Sequence, residues 1–238
     1  MIPIYVISVK SFTDRHEHIE RLANQFGFSF EYVWRYDADE LTDSDLEKVR
    51  ASLPAESVSN VLKHLHAQKL FLATDCDVSL ILEDDVVLFD SFFDELQGIL
   101  GQGSQLPPGW LIFLGGADNK IDSRFYHSEG QYLVEKLITT AEAYLVDRHG
   151  CELRLRWLEE NYIDRQADHQ LKLMDQNLGI VHYCVSNPIA TQGSITGLFE
   201  TSLDSSRSKH SSMYLNAKYK FNRLRRQILP RYFARLMR

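Results

Sequence analysis

Apolar and polar positions along the chain alternate between two periods, and the alternation predicts its elements. Ile4–Val9 is a short β-prone run closed by Lys10-Ser11. A helix over Arg15–Phe26 follows, capped by Ser11 or Thr13 and stopped by Gly27. Phe28–Trp34 alternates as a second strand. Val58, Val61, Leu62, Leu65 and Leu72 keep a helical period. Val78-Ser79-Leu80-Ile81-Leu82 lacks Gly and Pro and predicts a buried strand, with a helix near Phe89–Leu100 after it. Gly101–Gly109, with Pro107-Pro108, predicts a loop. Strands over Trp110–Leu114, Thr140–Val146 and Ile180–Val185, with a helix over Gly150–Glu160, complete the pattern. Strands alternating with helices predict an α/β fold with a mainly parallel central sheet, Rossmann-like and single-domain. Residues 191–213 are aperiodic and rich in Gly, Ser and Thr, which predicts a lid or loose connector.

At 238 residues the chain is long enough for a full core, and 44% hydrophobic with 25% charged residues is an ordinary globular composition. No apolar stretch reaches membrane-span length, and Met1–Tyr5 opens a strand rather than a signal peptide. Cys76, Cys151 and Cys184 lack metal-ligand spacing and predict small apolar fillers in a reducing compartment. The net charge of -7 is uneven. Ten of the 26 Lys and Arg lie in residues 205–238, which hold none of the 33 acids. Phe221, Leu224 and Ile228 share one helical face there, while Lys220, Arg223, Arg226 and Arg231 fall elsewhere. Such a basic amphipathic tail fits either an anionic membrane surface, through residues 214–238, or docking on the acidic body. The acidity of the rest argues against nucleic acid. The organisation expected is a catalytic domain over 1–200, then a connector and basic helical tail over 201–238.

The chemistry concentrates where Glu83-Asp84-Asp85 ends the apolar strand. Three adjacent carboxylates at a buried strand end repel one another and resist desolvation, and a hard divalent cation, Mn²⁺ or Mg²⁺, would relieve both costs. Ligands of open α/β sheets bind at that edge. An acidic turn starting the next helix is the bland alternative. Side chains two apart on a strand share a side, so Glu83 and Asp85 converge as metal ligands, with Gln192 or His182 as late candidates to complete the shell. Asp84 is expected to reach ribose, or the metal through water. Asp14 and Arg15 follow the first strand, where a Rossmann-like half would receive a nucleotide, Arg15 facing its diphosphate and the Ser8 backbone its base; a surface i,i+4 pair of Arg15 with a nearby Glu is the bland alternative. Gly115-Gly116 would let backbone approach a ligand, although a tight turn explains the pair equally well.

The order of these segments resembles glycosyltransferase family 25. Tyr5–Lys10 with Thr13-Asp14-Arg15 resembles the family's "INLxRxxDR" start, and Leu62-Lys63-His64-Leu65 its "LSHxxxWxxxL" helix. Leu80–Val86 is similar to "LILEDDV" residue for residue, Ile112–Gly115 to "IxxLG", and Thr140–Val146 to "TxAYLIS". Asp168-His169 and Asn187-Pro188 through Gln192 and Ser194 fit the closing pattern. There are departures: Ser59-Asn60 stands for the usual Gly-Cys, Lys63 for the serine, and the Trp near Gln68 is missing. The resemblance implies an A-type glycosyltransferase fold and an inverting, Mn²⁺-dependent transfer of a hexose, commonly galactose from UDP-galactose, forming a β-linkage. The implied acceptor is a sugar of a lipid-anchored lipooligosaccharide or lipopolysaccharide. The implied location is the cytoplasm, peripheral to the inner face of the cell membrane. His64 then belongs to the donor site. Asp168, at the start of a helix over Gln170–Met174, is the general base, with Asp147 and Asp164 as weaker rivals and a plain N-cap as its structural alternative. A sugar nucleotidyltransferase and a catalytically silent module of the same fold are the alternatives. The absence of glycine from Ser8–Arg15 counts against the first, and the intact acid triplet against the second.

Overall fold

The computed structural model describes residues 2–50, 52–115, 132–137, 140–199 and 211–236. Gly116 and the stretch 200–210 therefore lie outside the described residues. The first units follow the predicted pattern. Strand β1 (Ile4–Ile7) leads into helix α1 (Thr13–Phe26), then β2 (Glu31–Val33). Gly27 closes α1 in the left-handed region at φ 69°, which its missing Cβ permits. The helix starts at Phe12 with no side-chain cap, so neither Ser11 nor Thr13 serves as one.

A one-turn 3₁₀ helix (Ala38–Glu40) and the short α2 (Asp43–Leu46) carry the chain to α3 (Ala55–Leu72). Strand β3 (Val78–Glu83) is followed almost at once by β4 (Val86–Leu88), then α4 (Phe92–Gly103). Helix α4 takes in the first three residues of the glycine loop predicted from Gly101, and β5 (Trp110–Phe113) follows. Next come β6 (Leu133–Glu135), β7 (Ala143–Asp147), α5 (Arg148–Glu160), α6 (Ala167–Leu178) and β8 (Val181–Val185). Within the stretch expected to be a lid or connector, β9 (Ala190–Gln192) and α7 (Gly193–Thr196) are regular. They are ordered by pairing that local sequence does not reveal.

The main sheet runs β2-β1-β3-β7-β5-β8-β6. Five strands point one way, while β7 and β6 run against them. Alternate side chains enter two cores. Leu80 and Leu82 face Ile19 and Leu22 of α1, whereas Ile81 faces Ala67 and Phe71 of α3 together with Tyr144. A third cluster joins Val58, Val61, Leu62 and Leu65 of α3 to Ala167, Leu171 and Met174 of α6. Strands β4 and β9 form a separate antiparallel pair. The basic tail is helical: α8 (Ser212–Arg223), a π turn (Leu224–Ile228) and α9 (Leu229–Leu236). Tyr219 of α8 is buried, and Arg223 lies over the Phe89 ring at 4.3 Å. No helix among the described residues is long and apolar enough to cross a membrane.

Candidate active site

The acid triplet bridges the two sheets. Glu83 is the last residue of β3, the Asp84 N–H donates to Ile7 O (3.0 Å), and Asp85 immediately precedes β4. Strand parity then separates three chemically similar side chains. Glu83 continues the Ile81 face towards α3. There its Oε1 lies 3.6 Å from His64 Nε2, and Gln192 Nε2 donates to its Oε2 at 3.4 Å. Gln192 arrives because β4 and β9 pair Val86 with Gln192.

Asp84 continues the Leu82 face towards α1 and is spoken for. Ser8 Oγ donates to its Oδ2 and Arg15 Nη1 to its Oδ1, both at 2.7 Å. His16 Nε2 lies 3.1 Å from the same Ser8 hydroxyl. The expected donor-side trio of Ser8, Arg15 and Asp84 is therefore one buried cluster whose members bond to each other. It holds the ends of β1 and β3 to α1. Asp84, with both carboxylate oxygens engaged and 5% exposure, is better placed to brace the triplet than to reach a ribose. Asp14 is exposed in the first turn of α1 and has no described contact with the cluster.

Asp85 is buried and accepts a single described hydrogen bond, from the Ser194 N–H at 3.2 Å, while Gly193 N–H donates to its backbone O at 2.7 Å. Burial, reinforced by the neighbouring Glu83 carboxylate, pushes the Asp85 carboxyl up to about 7. A fourth acid, not singled out in the sequence, joins this group. Glu142 precedes β7, its carbonyl accepts from Glu83 N (2.9 Å), and burial followed by repulsion from Glu83 and Asp85 pushes its carboxyl up to about 8. The signal was an acid inside the apolar run Thr140–Val146. Gly115 makes room for it, since a Cβ there would overlap Glu142 Oε1. The described neighbour of Gly115 is thus a protein carboxylate, where a ligand's approach was expected.

Lys63, the departure in the α3 motif, is also absorbed structurally. Its buried ammonium donates to Asp37 Oδ1 and to the Ser8 carbonyl, which ties α3 to the end of β1. His64 is fully buried, with Nδ1 2.9 Å from Tyr144 OH, so it presents no surface to a nucleotide. His182 is removed from the metal candidates because it lies in a separate buried network. Its Nε2 is 2.6 Å from Asp175 Oδ2, and Arg154 pairs with both Asp175 oxygens at 2.7 and 2.6 Å. Asp147 caps α5 and accepts from Gly109, Trp110 and Gly150 N–H, at the opposite end of the sheet from the triplet. Asp164 pairs with Arg165 at the surface. Asp168 sits half-buried in the first turn of α6, where its Oδ1 accepts from the His169 N–H at 2.8 Å but does not cap the helix, which starts at Gln166 without a side-chain cap; no described contact joins it to the triplet.

Among the described residues no three His, Cys, Asp or Glu side chains already converge as a metal shell. The donor set nevertheless fits a hard divalent cation. Glu83, Asp85 and Glu142 are carboxylates crowded at one sheet edge, and Asp85 and Glu142 are raised in pKa by burial and by the nearby Glu83 charge.

Comparison with solved structures finds several weak likenesses. A galactosyltransferase LgtC, in complex with donor and acceptor sugar analogs, is 12% identical, with 91% of this chain and 96% of that chain covered and a TM-score of 0.48. Mouse xyloside xylosyltransferase 1, apo form, is 10% identical over 76% of this chain and 83% of its own, with a TM-score of 0.42. The inositol-1-phosphate CTP transferase from T. maritima is 12% identical over 91% and 77%, with a TM-score of 0.37. No curated protein sequence matches the chain. The family comparison is decisive where these are not. It matches residues 1–192, from β1 through the acid triplet to Gln192 at the end of β9, to glycosyltransferase family 25, described as LPS biosynthesis proteins, and the chain belongs to that family of glycosyltransferases.

Proposed function

We propose that this glycosyltransferase moves a hexose, galactose from UDP-galactose, onto a sugar of a lipid-anchored lipooligosaccharide or lipopolysaccharide, inverting the anomeric centre to give a β-linkage. The observation that carries the reading is the division of labour within the triplet. Asp84 is locked by Ser8 and Arg15, while the buried Asp85 and the partly exposed Glu83 beside it repel one another and pair with no cation of their own among the described contacts. Glu83, Asp85 and Gln192 would hold Mn²⁺ or Mg²⁺, which as a Lewis acid would stabilise the departing diphosphate.

The remaining work falls to the chain itself. Arg15, Ser8 and Lys63 fix the carboxyl edge of β1 and β3, and pairing of β4 with β9 brings Gln192 to Glu83. A single displacement with inversion needs a base on the face opposite UDP, and Asp168 takes the acceptor hydroxyl's proton in this reading. Membership in a glycosyltransferase family favours transfer over the nucleotidyltransferase alternative.

The tail supports a membrane site for the reaction. Phe221, Leu224, Ile228, Tyr232, Phe233 and Leu236 are exposed beside a run of Lys and Arg, and each basic side chain near an anionic surface contributes roughly 1 kcal/mol.

The test is a panel of UDP-hexoses with and without Mn²⁺. UDP-galactose with Mn²⁺ is expected to raise the Tm most, and the product's anomeric coupling constant to report a β-linkage. Asp168→Asn is expected to keep this thermal shift and lose about two or more orders of magnitude in turnover. An α-linked product, or Asp168→Asn turning over like wild type, would overturn the corresponding part of the reading.

A further inference from the structure

Beneath Glu83 lies a buried polar pair that the proposed chemistry does not use. His64 on α3 and Tyr144 on β7 are both fully buried. Their rings stack at 5.7 Å with 30° between planes, and Tyr144 OH lies 2.9 Å from His64 Nδ1. The other imidazole nitrogen, Nε2, faces Glu83 Oε1 at 3.6 Å and has no hydrogen-bond partner among the described residues.

The chemistry of the three groups fixes a direction. Burial raises the Tyr144 phenol further above its ordinary range, so it keeps its proton and donates it to Nδ1. An imidazole that accepts at Nδ1 carries its own proton on Nε2, the atom aimed at Glu83. A buried N–H left without an acceptor is costly, and the carboxylate oxygen it faces would satisfy it after a shift of a few tenths of an ångström. Glu83 Oε2 lies on the other side, where Gln192 approaches.

We infer that Tyr144 and His64 form a positioning relay that holds Glu83 Oε1 from below and so presents Oε2 to a divalent cation. The inference rests on the proposed reading of Glu83 as a metal ligand. It replaces the expectation that His64 touches the donor, because a side chain without exposed surface acts through Glu83. Outer-shell hydrogen bonds of this kind set the orientation of a ligating carboxylate, and their loss weakens metal binding about 10–100-fold.

Two measurements test it. In the metal-free protein, long-range ¹H–¹⁵N NMR of the His64 ring is expected to show the Nε2–H tautomer, with Tyr144→Phe shifting population to Nδ1–H. Titration with Mn²⁺ followed by electron paramagnetic resonance is expected to show roughly 10–100-fold weaker binding in His64→Ala, with substantial recovery in His64→Gln, which restores an N–H donor. Should His64→Ala not fold, Tyr144→Phe and His64→Gln carry both measurements. An Nδ1–H tautomer in the wild type overturns the relay. So does wild-type Mn²⁺ affinity in His64→Ala when Glu83→Gln has lost it. Unchanged Mn²⁺ affinity in Glu83→Gln instead sinks the metal reading itself, and the relay's purpose with it.

Discussion

Two neighbouring aspartates, each replaced by its isosteric amide, should move stability in opposite directions. Asp84 pairs with Arg15 at 2.7 Å, with side chains only 6% and 14% exposed, and also accepts from Ser8. At an effective dielectric near 20 the gross attraction at that distance is about 6 kcal/mol, much of it offset by desolvation. Asp84→Asn removes the nearest counter-charge of a largely buried guanidinium, which costs about 3–5 kcal/mol. For a chain of this size that corresponds to a Tm lower by roughly 6–20 °C. Asp85 is equally buried, yet its charge faces Glu83 and receives one N–H. Asp85→Asn keeps an acceptor for Ser194 and removes a repelled charge, so its Tm should match or exceed the wild type.

The assay is thermal and urea unfolding of both variants in excess chelator, followed by the same scans with Mn²⁺ and UDP-galactose. Asp84→Asn should be unstable yet still gain Tm from the ligands, whereas Asp85→Asn should be stable and gain none. Equal losses in the two variants, or a larger loss in Asp85→Asn, would refute the division of roles within the triplet.

Gly115→Ala should destabilise by about 1–3 kcal/mol, because its Cβ overlaps the buried Glu142 carboxyl, and adding Glu142→Ala should recover most of that in a double-mutant cycle. Although burial alone would raise the Asp175 carboxyl, the Arg154 guanidinium and His182 hold it below the usual carboxylate range. A depressed folded pKa contributes stability above the unfolded pKa and loses it as pH falls through the folded value. The deficit of Asp175→Asn in urea titrations should therefore be full near neutrality and shrink below about pH 4, and a deficit constant down to pH 2 would exclude the ion pair as its source. Replacing Phe221, Leu224 and Phe233 together with Ser should abolish salt-sensitive sedimentation with anionic vesicles while leaving transfer to a soluble acceptor intact; unchanged sedimentation would remove the tail from the membrane reading.

What the sequence determined by itself is whatever depends on neighbours along the chain. Period and punctuation are local, so β1, α1 with its Gly27 stop, α3, β3, β5 and α5 were legible, as was the placing of an acid triplet at a strand end. Tertiary structure alone decided what each acid meets. Arg15 lies 69 residues from Asp84, Gln192 109 from Glu83, and Tyr144 80 from His64, and no window of sequence joins them. The three-residue strands β4, β6 and β9 escaped for the same reason. Each is too short to show a period and is ordered only by its partner, and it is the β4–β9 pairing that carries Gln192 and Ser194 to the acids. His64 and Gly115 were read as touching a ligand because a motif records which residue stands at a position but not which way it faces. Burial turned the first towards Glu83 and set the second against Glu142, since a packed interior assigns each polar group the partner that its fold brings within reach.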